Sequence, residues 1–187
     1  GTTGRGLSAA SFVNFIDNHD QVANSARGTR TQWLSSPGVY RAMTALLLLG
    51  PGTPMLFQGQ EFGSSSPFLF FADHNDELSR KVFEGRKHFM SQFRSIAGPE
   101  ALALIPDPAD PLTFIRSKLD FSERTTHAEI YRMHRDLLPL RREDATFQSQ
   151  QPGGLDGAVL GEQCFALRYF GATSDGKEDR LLMVNFG

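Results

Sequence analysis

Asn18, His19 and Asp20 place an amide, an imidazole and a carboxylate on consecutive residues, directly behind the short apolar lead Phe15-Ile16 and Asp17. A carboxylate fixed beside a reacting centre can oppose positive charge that develops there, and an adjacent imidazole can donate a hydrogen bond to the same ligand. A parallel strand buried on both faces reads as a near-continuous apolar run, and in α/β barrels the chemistry sits where such strands end. The pattern predicts a strand that delivers Asn18, His19 and Asp20 to a site, with Gln21 next in line. A plainer reading of Asp20 is a helix or turn cap, because aspartate side chains accept readily from free backbone N–H groups. Glu61 stands two residues after Gly59, at the end of another apolar run, Met55-Leu56-Phe57.

The elements that must hold these residues follow from punctuation and periodicity. Residues 37–49 predict a buried helix with Pro37 in its first turn. Gly50-Pro51-Gly52-Thr53-Pro54 predicts a turn, and residues 55–57 a buried strand. Strand, helix and strand in this order make the βαβ unit of a parallel sheet. The apolar stretch 42–57 is too short and too broken for a membrane span, which needs about 20 residues. Leu78, Val82, Phe89, Phe93 and Ile96 recur at helical spacing and predict a helix packed on the second strand. Pro99, Pro106, Pro108 and Pro111 predict a loop with tight turns. Thr126 and Glu129 have capping-box spacing for a further helix, which Pro139 should kink or end. His134, in that helix, reads as a packed or surface histidine. Beyond residue 150, Gly153-Gly154, Asp156-Gly157, Gly171 and Ser174-Asp175-Gly176 separate short runs, 164–170 and 181–186, that read as antiparallel strands.

Residues 15–20 (FIDNHD) resemble the strand-seven motif of the α-amylase superfamily, family 13 of the glycoside hydrolases, and residues 52–63 (GTPMLFQGQEFG) resemble its strand eight. Residues 66–74 (SPFLFFADH), Glu84-Gly85-Arg86, residues 107–111 (DPADP) and Ser117-Lys118-Leu119-Asp120 are similar to the malto-oligosyltrehalose trehalohydrolase family within it. The resemblance implies an α/β fold: the C-terminal part of a (β/α)8 TIM barrel, strands seven and eight, followed by the start of an antiparallel β-sandwich. The implied division is 1–98 for the barrel part, 99–150 for a loop and helical connection, and 151–187 for the start of the β domain. It implies a retaining hydrolase that cleaves the α-1,4 bond next to the terminal trehalose unit of maltooligosyltrehalose. Asp20 would be the transition-state stabiliser, with His19, Asn18, Gln21 and Glu61 binding substrate, and no cofactor or metal. Phe68, Phe70 and Phe71 would pack beneath a loop or offer ring faces to sugar.

Such an enzyme also needs a nucleophile and an acid/base carboxyl, about 5 Å apart. In the family these lie on strands four and five, so the chain is expected to be a C-terminal piece of a larger polypeptide, inactive alone, with the remainder of that polypeptide as partner. A barrel takes roughly 250 residues. Gln60 and Phe62, where a glutamate and a tryptophan are expected, resemble glycogen branching enzymes, and Ser25 replaces an expected arginine, while Gly28 and Arg30 fit.

Two other classes compete. Asn18-His19-Asp20 is similar to a metallophosphoesterase metal motif, with His74, Asp73 and Asp76 as further ligands, but an upstream Asp-x-His pair is missing. A non-catalytic glucan-binding module would use the phenylalanines and terminal strands alone. Of the 187 residues 40% are hydrophobic and 21% charged, as in ordinary globular domains. A net charge of −2 without a basic patch argues against nucleic acid or acidic membrane partners. Cys164, the single cysteine, cannot form an intrachain disulfide, and a cytoplasmic setting is expected.

Overall fold

The computed structural model describes residues 7–94, 96–151, 153–173 and 175–187. The opening Gly1-Thr2-Thr3-Gly4 and Ser174 of the predicted turn lie outside these residues. The described elements are β1 (Val13–Asn14), α1 (His19–Ala23), α2 (Pro37–Leu49), β2 (Thr53–Pro54), α3 (Asp76–Met90), α4 (Pro99–Leu102), α5 (Pro111–Ser117), α6 (Glu123–Thr126), α7 (Ala128–Glu143), α8 (Ala145–Ser149), β3 (Leu155–Gly161), β4 (Cys164–Tyr169) and β5 (Arg180–Asn185). They fall into two compact units that interleave along the chain: Gly1–Ile16, Ser35–Leu56 and His127–Gly187 in the first, Asp17–Leu34 and Phe57–Thr126 in the second.

In the first unit, β1 and β2 pair in parallel, Val13 opposite Thr53 and Asn14 opposite Pro54, with α2 between them in sequence. The βαβ order is the predicted one, but the strands are short and lie earlier than expected. Residues 15–16 and 55–57 are outside them. Backbone bonds from Thr53 N to Phe12 O and from Met55 N to Asn14 O (both 2.8 Å) set this register. Burial on both faces is not seen, since Val13 is 56% exposed.

α2 begins as the sequence dictates: the Ser36 side chain accepts from Val39 N, and Pro37 takes the first turn, where its missing N–H costs nothing. α2 packs on α7 and β5. α7 continues past Pro139 to Glu143, against expectation, and starts after His127 without a side-chain cap, because Thr126 closes α6 instead. Tertiary bonds explain the continuation. Arg141, beyond the proline, donates to Leu48 O and Gly50 O (2.9 Å each) and to Gly52 O.

β3, β4 and β5 form an antiparallel sheet in that order, with Leu155 opposite Tyr169 and Tyr169 opposite Arg180. The two strands anticipated beyond residue 160 are β4 and β5. Leu49, Phe147 and Tyr169 make the core here, with Leu137, Leu155, Leu167 and Leu182 packed around them.

In the second unit, α3 is capped by the Asn75 side chain, which accepts from Leu78 N, and it carries acidic residues in its first turn and basic ones in its last. Its buried side matches the predicted stripe only in part, with Val82 half-buried and Ile96 buried beyond the helix end at Met90. Leu78, Phe89 and Phe93 are exposed, whereas Met90 is fully buried in a core with Ile96 and Ile105, flanked by Phe83. The prolines of 98–120 do not give only loops: Pro99 and Pro111 open α4 and α5 from the first turn. Among the described residues no helix is long and apolar enough to cross a membrane.

Candidate functional site

Asn18 is extended and its Oδ1 accepts from Gln21 N at 2.8 Å, so it is the N-cap of α1. His19 and Asp20 are the first two helical residues, both exposed, as is Gln21. The capping role thus belongs to Asn18, not to Asp20. Asp20 Oδ1 instead accepts from Asn24 Nδ2 at 2.8 Å, one helical turn further on. Asn24 Oδ1 accepts in turn from an Arg86 terminal nitrogen at 3.0 Å, and the other terminal nitrogen of Arg86 donates to Ala23 O. Burial pulls the Arg86 pKa below its ordinary value, and the negative charge of Asp20 works against that shift.

His19, Asp20 and Ala23 line one wall of a cavity of about 230 Å³, and residues 68–71 line the other. The loop wall is anchored at several points. Gly28 has a φ of +65°, and a Cβ there would fall 2.6 Å from Phe68 O. Only glycine allows this approach without strain, and Phe68 N donates to Gly28 O at 3.0 Å. The Phe68 ring meets Phe57 edge-on at 5.0 Å and Phe71 at 5.8 Å, and Phe71 meets Phe114 at 5.1 Å. Leu69 is buried and its N–H donates to Ser117 Oγ at 3.0 Å. Phe70 and Phe71 remain half-exposed, and the Arg86 guanidinium lies 4.6 Å from the Phe70 ring centroid.

Asp17, between the apolar lead and the polar cluster, is buried and accepts from the backbone N–H and the hydroxyl of Thr31. Arg30 is fully buried, donating to Ser66 O (2.8 Å) and Gln58 O (2.7 Å) and lying 5.1 Å from the Phe57 ring centroid. Both residues tie the loops together.

Glu61 is placed apart from the His19–Asp20 cavity and does not line it. It sits on a 3₁₀ turn, Gln60–Phe62, bounded by Gly59 and Gly63 in the left-handed region, and its Oε1 lies 3.7 Å from an Arg124 terminal nitrogen. Gln60 and Phe62 are fully buried, and Gln60 Oε1 accepts from Phe57 N at 3.2 Å. Among the described residues no group of three His, Cys, Asp or Glu could hold a metal ion, His74 with Asp73 and Asp76 included.

Asn24 and Arg86 were not singled out for the site by sequence. Asn24 could have been, as an amide four residues after Asp20 on a helix. Arg86, 62 residues beyond Asn24, needed the fold to bring it there.

No protein-family model matches the chain. It is 42% identical over 97% of its length to the malto-oligosyltrehalose trehalohydrolase of Deinococcus radiodurans. It is also 35% identical over 88% of its length to the protein of that name from Saccharolobus solfataricus. The chain spans 29% and 28% of these relatives. Over its whole length it superposes with a TM-score of 0.82 and 31% identity on 31% of a solved protein described as an α-amylase, from Salmonella typhimurium.

Proposed function

Because the chain belongs to the α-amylase family as a partial-length homologue of the malto-oligosyltrehalose trehalohydrolases, we propose that its polypeptide hydrolyses the α-1,4 bond next to the terminal trehalose unit of maltooligosyltrehalose. The product is trehalose. In this reading residues 1–98 are the last part of a (β/α)8 barrel, with β1 and β2 as strands seven and eight, 99–150 connect, and 151–187 begin a C-terminal β domain. The parallel β1–α2–β2 unit supports this, as does the appearance of Asn18–Gln21 and of Glu61 in sequence just after each strand end.

Cleavage passes through an oxocarbenium-like transition state with positive charge on the ring oxygen and anomeric carbon. A carboxylate fixed beside that ring stabilises it most as the charge develops, which is the differential binding catalysis requires. Asp20 takes this part, and His19 donates to a hydroxyl of the same sugar. Asn18 spends its side chain on the α1 cap and so holds the turn. Gln21 and Glu61 do not line the cavity, and their part in binding substrate rests on the family motif alone. The nucleophile and proton donor are carboxyl groups of the rest of the polypeptide, and the chemistry needs no cofactor. A cytoplasmic setting suits the lone Cys164.

The observation that carries the reading is the exposed Asp20–His19 pair facing a cavity walled by phenylalanines, with one Asp20 oxygen already held by Asn24. Glycogen branching or debranching enzymes of the same superfamily are the nearest alternative, the branching enzymes on the strength of Gln60 and Phe62. Both side chains are enclosed and so offer no exposed surface for direct contact with sugar. The test is to give the full-length protein maltooligosyltrehalose and, separately, a maltooligosaccharide of equal length. Free trehalose from the first with little hydrolysis of the second is expected. Formation of α-1,6 branches without trehalose release would overturn the reading.

A further inference from the structure

Arg86 touches both walls of the cavity that holds His19 and Asp20. On the α1 side it donates to Asn24 Oδ1 at 3.0 Å and to Ala23 O, and on the loop side it lies 4.6 Å from the Phe70 ring centroid. We propose that Arg86 is a positioning residue that acts through Asn24 to fix the Asp20 carboxylate and, by stacking, fixes Phe70 across the same cavity. The inference rests on the role given to Asp20 above.

Asp20 is otherwise lightly restrained. It is exposed, in the first turn of a five-residue helix, where a short carboxylate has several open rotamers. The Asn24 amide holds Asp20 Oδ1, but an amide can present either its oxygen or its NH₂ to a neighbour. Arg86 removes that choice. A guanidinium carries donors and no acceptor, so it must face Asn24 Oδ1, and the NH₂ is then turned toward Asp20. The second terminal nitrogen on Ala23 O adds a cation to the last turn of α1. A lysine could supply one of these bonds as a point charge, but not the planar pair together with a face for Phe70.

A merely structural tie would lower stability whatever Asp20 is. A positioning role depends on Asp20 itself, and this separates the two. The experiment uses the full-length enzyme on maltooligosyltrehalose, with Arg86→Lys and Asn24→Leu made alone and in combination with Asp20→Asn, and with kcat, KM and melting temperature measured for each. Each single substitution is expected to lower kcat by about tenfold or more, as misplacement of a reacting group does, with KM changed less than about threefold. In the Asp20→Asn background the same substitutions should cost less than about twofold further, because coupled residues are not additive. Arg86→Lys keeps the charge and most of the packing, so it decides the matter if Asn24→Leu does not fold. Undiminished losses in the Asp20→Asn background would overturn the proposal, as would wild-type kcat for Arg86→Lys beside an impaired Asp20→Asn. If Asp20→Asn alone were fully active, the role of Asp20 would fall, and this inference with it.

Discussion

Gln60→Glu and Phe62→Trp should lower stability before they alter substrate preference, because both side chains are enclosed, at 1% and 0% exposure. The first puts a carboxylate where an amide oxygen now accepts from Phe57 N, and enclosing a charge costs more than enclosing a neutral amide. The second adds volume to a filled site, at about 1–3 kcal/mol. A drop of several degrees in melting temperature, with the ratio of kcat/KM between maltooligosyltrehalose and maltooligosaccharide unchanged within about threefold, is the expected outcome. A large change in that ratio at unchanged stability would show that these residues reach the sugar. At this scale the sequence marks the polar cluster well, since residue type and an apolar lead are local signals. The alternative it leaves open, Asp20 as a helix cap, falls to Asn18 in the structure, a difference of backbone conformation that composition does not encode. Arg86 is invisible in this respect because its partners depend on tertiary folding.

The C-terminal end of α2 shows how elements are joined in the first unit. Its last turn has no basic residue of its own. Arg141 of α7 supplies the cation, bonding Leu48 O and carbonyls of the following turn, and the Tyr169 hydroxyl of β4 donates to Leu49 O at 2.7 Å. Helix ends leave carbonyls unsatisfied, and a bond to a charged donor contributes about 1.5–3 kcal/mol. Arg141→Met should therefore destabilise by about 2–4 kcal/mol, read by denaturant unfolding, whereas a loss below about 0.5 kcal/mol would show that the carbonyls find water instead. Burial pushes the Tyr169 hydroxyl up to about 12, with Arg141 partly opposing the shift. The folded value exceeds the unfolded one, near 10, so the proton is held more tightly in the native state. The resulting stability is complete below about pH 10 and is lost as pH rises through about 12, with a ceiling of about 2–3 kcal/mol. Tyr169→Phe should flatten that part of the alkaline stability profile, and an unchanged profile would contradict the assignment. α2 was legible to the residue because its cap, first-turn proline and Gly/Pro stop are all local. The run of α7 past Pro139 was not, because Arg141 is held by another element.

At the scale of the whole molecule, the first unit carries an apolar cavity of about 430 Å³ lined by Phe15, Ile16, Met43, Leu46, Leu47 and Leu167 among others, with Phe12, Val13 and Met55 exposed nearby in sequence. In the proposed barrel, neighbouring strands cover such surfaces. The isolated 187-residue chain should therefore associate with rising concentration and bind a hydrophobic dye, and a sharply melting, dye-silent monomer would count against this. The order strand, helix, strand and the terminal antiparallel strands could be read from periodicity and punctuation. The interleaving of two units could not, because it depends on which distant segments meet. The central claim is that Asp20 opposes the charge of the glycosidic transition state, and it is tested most directly by kcat for trehalose release from maltooligosyltrehalose by the full-length enzyme and its Asp20→Asn variant. The amide preserves size and can still bond to Asn24, but it removes the charge. Loss of one preorganised interaction of this kind costs about 3–4 kcal/mol, so kcat should fall by about a hundredfold or more while the melting temperature stays within about two degrees. A near-wild-type kcat in a correctly folded Asp20→Asn enzyme would contradict the account.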